Sequence, residues 1–344
     1  MIEAEHKRRL ALDAAGPFVA TDPADVRWLL CGRGRPVAAG TSPFAVELAQ
    51  GIARVWYQDI ERSRIEVEER WQELGYEPVA YPWHEPLPVH EADRRGGAWL
   101  EQGTGLDALR IALVPLELER YRAAGGDVAS AFVDVLSTLS PEMDELEAAG
   151  ELARHLHARG FTTPVVLAGG DRRAPVHRHP LPTSEALGSF ALLAVTAERH
   201  GLHVSMTRIV SFGPPPADLA GRVRDAAEVD AAALAASRPG ATVGDVFEVL
   251  ARAYELRGVP EEWRRHHQGG LTGYRGREVF ATPGGETVFP NAFAVAWNPS
   301  VAGGGKSEDT ALVTEDGVEV ITRTPGLDEL ETTAGIRRPS IVVL

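Results

Sequence analysis

The side chains able to do chemistry in this chain of 344 residues crowd into a few short stretches. One is Asp171-Arg172-Arg173 followed by His177-Arg178-His179. A second runs from Trp263 through His266-His267-Gln268-Gly269-Gly270 to Tyr274 and Arg277-Glu278. A third is Trp297-Asn298-Pro299, then Lys306-Ser307-Glu308-Asp309-Thr310. Imidazole titrates near neutral pH, so the histidines suit general acid and base work. Arginine holds carboxylates bidentately without any metal. Adjacent histidines on a strand point to opposite faces, so at most one of His266 and His267 is expected to face a cavity. Glycines at 269, 270 and 273 imply close backbone approach or positive φ. Tyr274 and Trp297 stand beside strands, where aromatic rings either line a pocket or fill core. Plain readings stay open beside these: the 171–183 stretch as a solvated charged loop, and Arg208 and Lys306 as neutralisers of Glu308 and Asp309 in a structural network. Gly303-Gly304-Gly305-Lys306-Ser307 is not a phosphate-binding loop, because Ser300 stands where its first glycine is required.

The order of these segments resembles the creatinase/aminopeptidase P/prolidase superfamily, the pita-bread fold. There an Asp…Asp pair eleven residues apart ends in Asp-x-Thr-Arg. Gly-His-Gly-Ile-Gly…His-Glu, Glu-Pro-Gly and Arg-Ile-Glu-Asp-Thr segments follow. Thr207-Arg208, closed by Gly213, matches the Thr-Arg anchor and puts the two aspartate positions at Ala194 and Ser205. Arg277-Glu278 stands in the His-Glu slot, so the ligand histidine falls on Gly270, and Asn298 replaces the glutamate of Glu-Pro. Glu308 alone is retained, in Glu308-Asp309-Thr310. A divalent pair needs about five oxygen or imidazole ligands, with carboxylates to balance its charge. The resemblance therefore implies no metal and no other cofactor, with Arg208, Arg277 and Lys306 as a positive island in the metals' stead.

The same register matches His179 to a substrate-contacting histidine and places His266 four residues before the lost ligand. What it implies is a metal-independent creatinase/Xaa-Pro peptidase-like enzyme, hydrolysing or eliminating at a C–N bond of a small polar, carboxylate-bearing substrate. His179 or His266 would be the acid/base. Glu308 and Glu278 would orient a cationic or N–H part of the substrate. Arg208, Arg277, Arg178 and Lys306 would hold its anion, with Tyr274, Trp297 and Asn298 around them. The alternatives are a catalytically silent pita-bread module binding a ligand or protein partner, and a metallo-aminopeptidase with another ligand set, of which Asp171, His177 and His179 are the dense candidate.

The net charge of −14 argues against nucleic acid or an anionic membrane as partner. One cysteine, Cys31, excludes an internal disulfide and fits a reducing cytoplasm. No apolar run approaches 18 residues, and the N-terminus lacks a signal-peptide core.

The elements that must position these side chains give an α+β class: a pita-bread domain over 113–344, built of two pseudo-symmetric αββ halves, after a smaller α/β creatinase-type domain over 1–112. Residues 25–32 and 36–39 are expected as strands, 60–74 as a helix capped by Gly75, 78–82 as a strand, and 91–105 as a loop. A faint repeat at an offset of 98 pairs Pro141 with Pro239, Leu152-Ala153-Arg154 with Leu250-Ala251-Arg252, and Gly160 with Gly258. Each copy reads as helix, Pro-containing turn, helix, and β-type runs follow each. Asp316-Gly317 marks a hairpin, and 339–344 an edge strand. A homodimer is expected from the resemblance, through Ile341–Leu344 and the 60–74 helix.

Overall fold

The computed structural model describes residues 2–37, 43–88 and 106–344. The chain divides into one unit of Met1–Leu116 with His200–Leu202, and another of Glu117–Arg199 with His203–Leu344.

In the first unit, helices α1 (Ile2–Ala15), α2 (Pro23–Leu29) and α3 (Leu106–Arg110) accompany a sheet ordered β1 (Phe18–Ala20), β2 (Phe44–Ala49), β3 (Ile52–Gln58), β4 (Glu77–Tyr81). Two expectations fail here. The 25–32 stretch is mostly the helix α2, because Asp22 accepts hydrogen bonds from the amides of Ala24 and Asp25 and Pro23 fills the first turn. The 60–74 helix is broken into short 3₁₀, α and π turns, with Arg70 left-handed at φ 44°. Gly75 does adopt the left-handed cap expected of it. Pro36 and Val37 lie outside any strand; the rest of that expected strand, and the 91–105 loop, lie outside the described residues.

The second unit carries the repeat. Helix α4 (Pro115–Leu136) leads into α5 (Glu145–His157), then β5 (Thr162–Gly170), β6 (Phe190–Arg199) and β7 (Leu202–Ser211). Helix α6 (Ala217–Ala236) leads into α7 (Val243–Leu256), then β8 (Gly269–Thr272), β9 (Val279–Phe280), β10 (Phe293–Trp297), β11 (Ser300–Val301), β12 (Gly305–Lys306), β13 (Asp309–Thr314) and β14 (Gly317–Val320). Both α5 and α7 begin with a capping box, Asp144 with Glu147 and Thr242 with Asp245. Helix α5 buries 145, 148, 149, 152 and 156; helix α7 buries 243, 246, 247, 250 and 254, and Gly244 besides. These are the same helical face displaced by 98, and Gly160 and Gly258 follow at φ 80° and 76°.

Each helix pair accompanies one sheet. The first sheet is ordered C-terminal strand (Val342–Val343), β7, β6, β5; the second is β14, β13, β10, β8, β9. An antiparallel bridge between Thr207 and Glu308 links them. This is the pita-bread arrangement of two αββ halves. The C-terminal strand takes the sheet edge expected of it, parallel to β7.

Candidate active site

Between the strands of the second unit lies a cavity of about 430 Å³. One wall is apolar: Pro164, Val165 and Leu167 of β5 with Ala194 and Val195 of β6. The other is polar: His179, His267, Arg277, Asn298, Lys306 and Glu308.

The segment carrying His179 is tightly held. Glu145, wholly buried at the start of α5, pairs with Arg173 and accepts from the amides of Gly170 and Thr183, each at 2.9 Å. Arg178 pairs with Glu262 and donates to Ser300 Oγ at 3.0 Å. Pro180 packs over Gly169, where an added Cβ would sit 2.6 Å from its ring. His179 is thus fixed from both sides. Arg173 and Arg178 have structural partners, and Arg178 does not line the cavity as a substrate ligand.

His266 and His267 follow a 3₁₀ turn, Glu262–Arg265. Gln268 secures them, donating to His266 O at 2.6 Å while its Oε1 accepts from the Tyr254 hydroxyl at 2.9 Å. Strand alternation does not govern this pair, because β8 begins only at Gly269, whose φ is +85°. The two rings stack at 4.6 Å and 21°. The Nε2 atoms of His266 and His179 lie 2.9 Å apart, so one donates to the other. His267, passed over in the sequence, lines the cavity; His266 is buried, its Nδ1 without a partner among the described residues.

Burial lowers the basicity of all three imidazoles, and nearby cations add to it. Lys306 does so for His179 and His266; Arg277 and Lys306 hold His267 down to about 4. All three are neutral at neutral pH. Their ligating atoms lie within 4.8 Å of one another, a geometry that could take a single metal ion. The group includes no carboxylate, and the ammonium and guanidinium facing it oppose a dication.

Glu308 is the one carboxylate lining the cavity among the described residues. It accepts from Arg277 at 2.8 Å and from Thr207 Oγ1 at 2.7 Å. Burial alone would raise its pKa, but Lys306 and Arg277 outweigh that and hold it below the usual range. Arg277 also donates to Ser205 Oγ at 3.1 Å. Lys306, on β12, is buried and lines the cavity; burial depresses its pKa, opposed by Glu308.

Four other expected site residues do not face this cavity. Arg208 is buried against Asp309 Oδ1 (2.8 Å), Thr324 Oγ1 (2.9 Å) and the Thr322 carbonyl (2.8 Å). Glu278 turns back on its own loop, accepting from the Tyr274 amide at 2.9 Å. The Tyr274 hydroxyl donates to buried Glu117 at 2.7 Å. Trp297 is core, its indole N–H on Ser237 Oγ at 3.0 Å. In each case a buried partner distant in sequence decides the direction. The expected positive island is correspondingly smaller: Arg208 is neutralised by Asp309, Arg277 by Glu308, and the imidazoles are uncharged. His203, Thr196 and Phe280 line the cavity without having been singled out; only the alternation of β6 and β7 could have pointed to the first two.

Comparison with known proteins places this geometry. The probable dipeptidase PepE of Mycobacterium tuberculosis (strain ATCC 25618 / H37Rv) is 25% identical over 265 residues, 73% of this chain and 70% of that relative. The agropine synthesis cyclase of Rhizobium rhizogenes is 27% identical over 235 residues, 64% of this chain and 59% of that one. The crystal structure of dipeptidase PepE from Mycobacterium ulcerans superposes with a TM-score of 0.72 at 18% identity, covering 99% of this chain and 98% of that one. Metallopeptidase family M24 matches residues 119–315, more than half of the sequence, and the chain belongs to that family.

Proposed function

We propose that this chain is an enzyme of the M24 fold that works without the family's metal pair, at a C–N bond of a small carboxylate-bearing substrate. The observation that carries the reading is the donor set. The positions that the resemblance gives to metal ligands hold Ala194, Ser205, Gly270 and Asn298, while Glu308 is already engaged by Arg277 and Thr207. A methyl, a hydroxyl, a bare backbone and an amide do not balance two dications. The donor set does not fit that group.

What remains is acid/base chemistry on a fixed scaffold. His267, neutral and facing the cavity, takes a proton from the attacking nucleophile, and the imidazolium so formed gives it to the departing nitrogen; His179, held in orientation by His266 through their 2.9 Å contact, stands beside it to hydrogen-bond the substrate. The nucleophile is water in a hydrolysis. One relative is named a cyclase, and a hydroxyl of the substrate itself suits the same machinery. Arg277 and Glu308 act as one neutral unit in which the Glu308 carboxylate orients a substrate N–H.

The test is turnover of a panel of dipeptides and N-acylated amino acids by protein purified in chelator, with elemental analysis alongside. Activity that survives chelation and falls at least about a hundredfold in His267→Ala is expected. Two bound ions per chain, with activity lost on chelation and restored by Mn²⁺ or Co²⁺, would overturn the reading.

A further inference from the structure

Among the described residues lining this cavity, the two cations Lys306 and Arg277 share a single carboxylate, Glu308, so one positive charge is in excess. Arg277 is spent on Glu308, Arg178 on Glu262, and the imidazoles are neutral. Lys306 is 5% exposed and lines the cavity, and its side-chain ammonium makes no hydrogen bond or ion pair within the described residues. An ammonium placed in a protein interior without a partner is expensive. Asn298, 3% exposed, lines the same cavity, and its buried Oδ1 finds no partner among the described residues. The same cavity is lined by apolar side chains left partly in the open, Val165 at 41% and Phe280 at 51%, with Pro164 and buried Leu167 and Val195, and the Phe280 ring meets His267 edge-on at 5.1 Å.

We infer that Lys306 anchors a subsite for a single negative charge, so that the cavity selects small amphipathic monocarboxylates whose apolar body lies against Val165, Leu167 and Phe280. This deepens the proposed function and rests on it for the identity of the cavity as the active site. The charge count sets the valence: one uncompensated cation suits a carboxylate. A dianion would carry one uncompensated charge into a buried site. A cationic head group would meet Lys306 directly. Asn298 supplies a neutral amide next to the anchor, able to meet a polar group adjacent to the carboxylate.

The inference makes an unusual demand on stability. If Lys306 served the fold, its replacement would destabilise the protein. If it is held for a ligand, removing an unpaired buried ion leaves the fold as stable or more so, since Glu308 keeps Arg277 at 2.8 Å. The experiment is thermal unfolding and calorimetric titration of wild type, Lys306→Met and Lys306→Gln, with benzoate, benzamide, benzylamine and inorganic phosphate. These probes share one ring as anion, neutral amide and cation, or offer an anion with no apolar body.

Benzoate is expected to bind wild type and raise its melting temperature, with the other three weaker by at least about tenfold. Both variants should melt no lower than wild type and lose the response to benzoate. The inference is overturned if benzamide or benzylamine matches benzoate, if phosphate binds better, or if the variants bind benzoate as wild type does. Both variants melting well below wild type would make Lys306 structural and overturn it equally. Stabilisation by Zn²⁺ with none by benzoate would make the imidazole cluster a cation site instead. Because binding is read without turnover, the outcome separates from the proposed function: His267→Ala can leave benzoate binding intact while catalysis fails or persists.

Discussion

Removing Arg338 should damage this protein more than removing Arg208, by an amount that depends on pH in a defined direction. The two arginines belong to one buried row of alternating charge. Asp230 of α6 meets Arg338 at 2.7 Å, Arg338 meets Asp309 of β13 at 2.7 Å, and Asp309 meets Arg208 of β7 at 2.8 Å. All four side chains are 2% exposed or less. Breaking a buried pair on one side costs about 3–5 kcal/mol. Arg208 is terminal: Arg208→Met leaves Asp309 with Arg338 and with the Thr322 hydroxyl at 2.6 Å, so a loss near the lower end, about 3 kcal/mol, is expected. Arg338 is interior. Arg338→Met strands Asp230 with only the Ser307 hydroxyl at 2.5 Å and sets two buried carboxylates facing each other, for about 5 kcal/mol at pH 8.

Burial already raises Asp230 to about 6 in spite of Arg338. Without the guanidinium it rises further. A carboxyl raised in the folded state contributes stability that is present below its unfolded value and lost as pH rises through its folded value. Between the wild-type value and the higher value in the variant, only the variant keeps its proton. The penalty of Arg338→Met should therefore shrink as pH falls from 8 to 6, at a limiting slope of about 1.4 kcal/mol per unit. Below about 6 the wild-type carboxyl is protonated too, and the difference levels off. Urea unfolding of the second unit at pH 6, 7 and 8 measures this. A penalty that ignores pH over that range, or an Arg208→Met variant less stable than Arg338→Met at pH 8, would show that the row is not one coupled unit.

Restoring a histidine at 270 should fail structurally. Gly270 has φ +145° and a Cβ there would lie 2.2 Å from Val279 O, so Gly270→His is expected to cost more than about 2 kcal/mol and to bring no metal binding by titration. The two capping boxes are repeats of one device: Asp144→Ala and Thr242→Ala should each cost about 1 kcal/mol and together about 2 in denaturant unfolding, since they cap separate helices. Unequal costs would mean the halves are not energetically alike. His267 is held to about 4 against an ordinary 6.5. A base with a depressed pKa keeps its free form as pH falls, so kcat/KM should stay level from pH 8 through 6.5 and drop only near 4; an acid limb centred at 6.5 would remove His267 from the role of base.

What the sequence exposed of this molecule, and what it hid, divides along the range of the interactions involved. The repeat at offset 98 was legible because turn prolines, helix faces and αL glycines are local, so Pro141/Pro239, Leu152/Leu250 and Gly160/Gly258 leave marks in the letters themselves. Helix α2 was equally local and still missed: Asp22-Pro23 is a start signal, but the stretch Val26 to Leu30, apolar save for Arg27, is buried throughout and carries no period of its own. The site was legible as a set of segments but not as a set of directions. Arg208 reads the same whether it faces a ligand or Asp309, which lies 101 residues away in the chain. Glu278, Tyr274 and Trp297 are likewise turned by partners that only folding supplies. That at most one of the two histidines lines the cavity was legible, but the family register pointed to His266, and it is His267 that lines it. Lys306 is the instructive case. Its type and place beside Glu308 were visible, as was its cationic sense, but a charge becomes functional evidence only when every counter-ion around it has been assigned elsewhere. In this fold Glu308 belongs to Arg277, Asp309 to Arg208 and Arg338, and Glu262 to Arg178. The ammonium that is left over marks where a ligand's charge belongs.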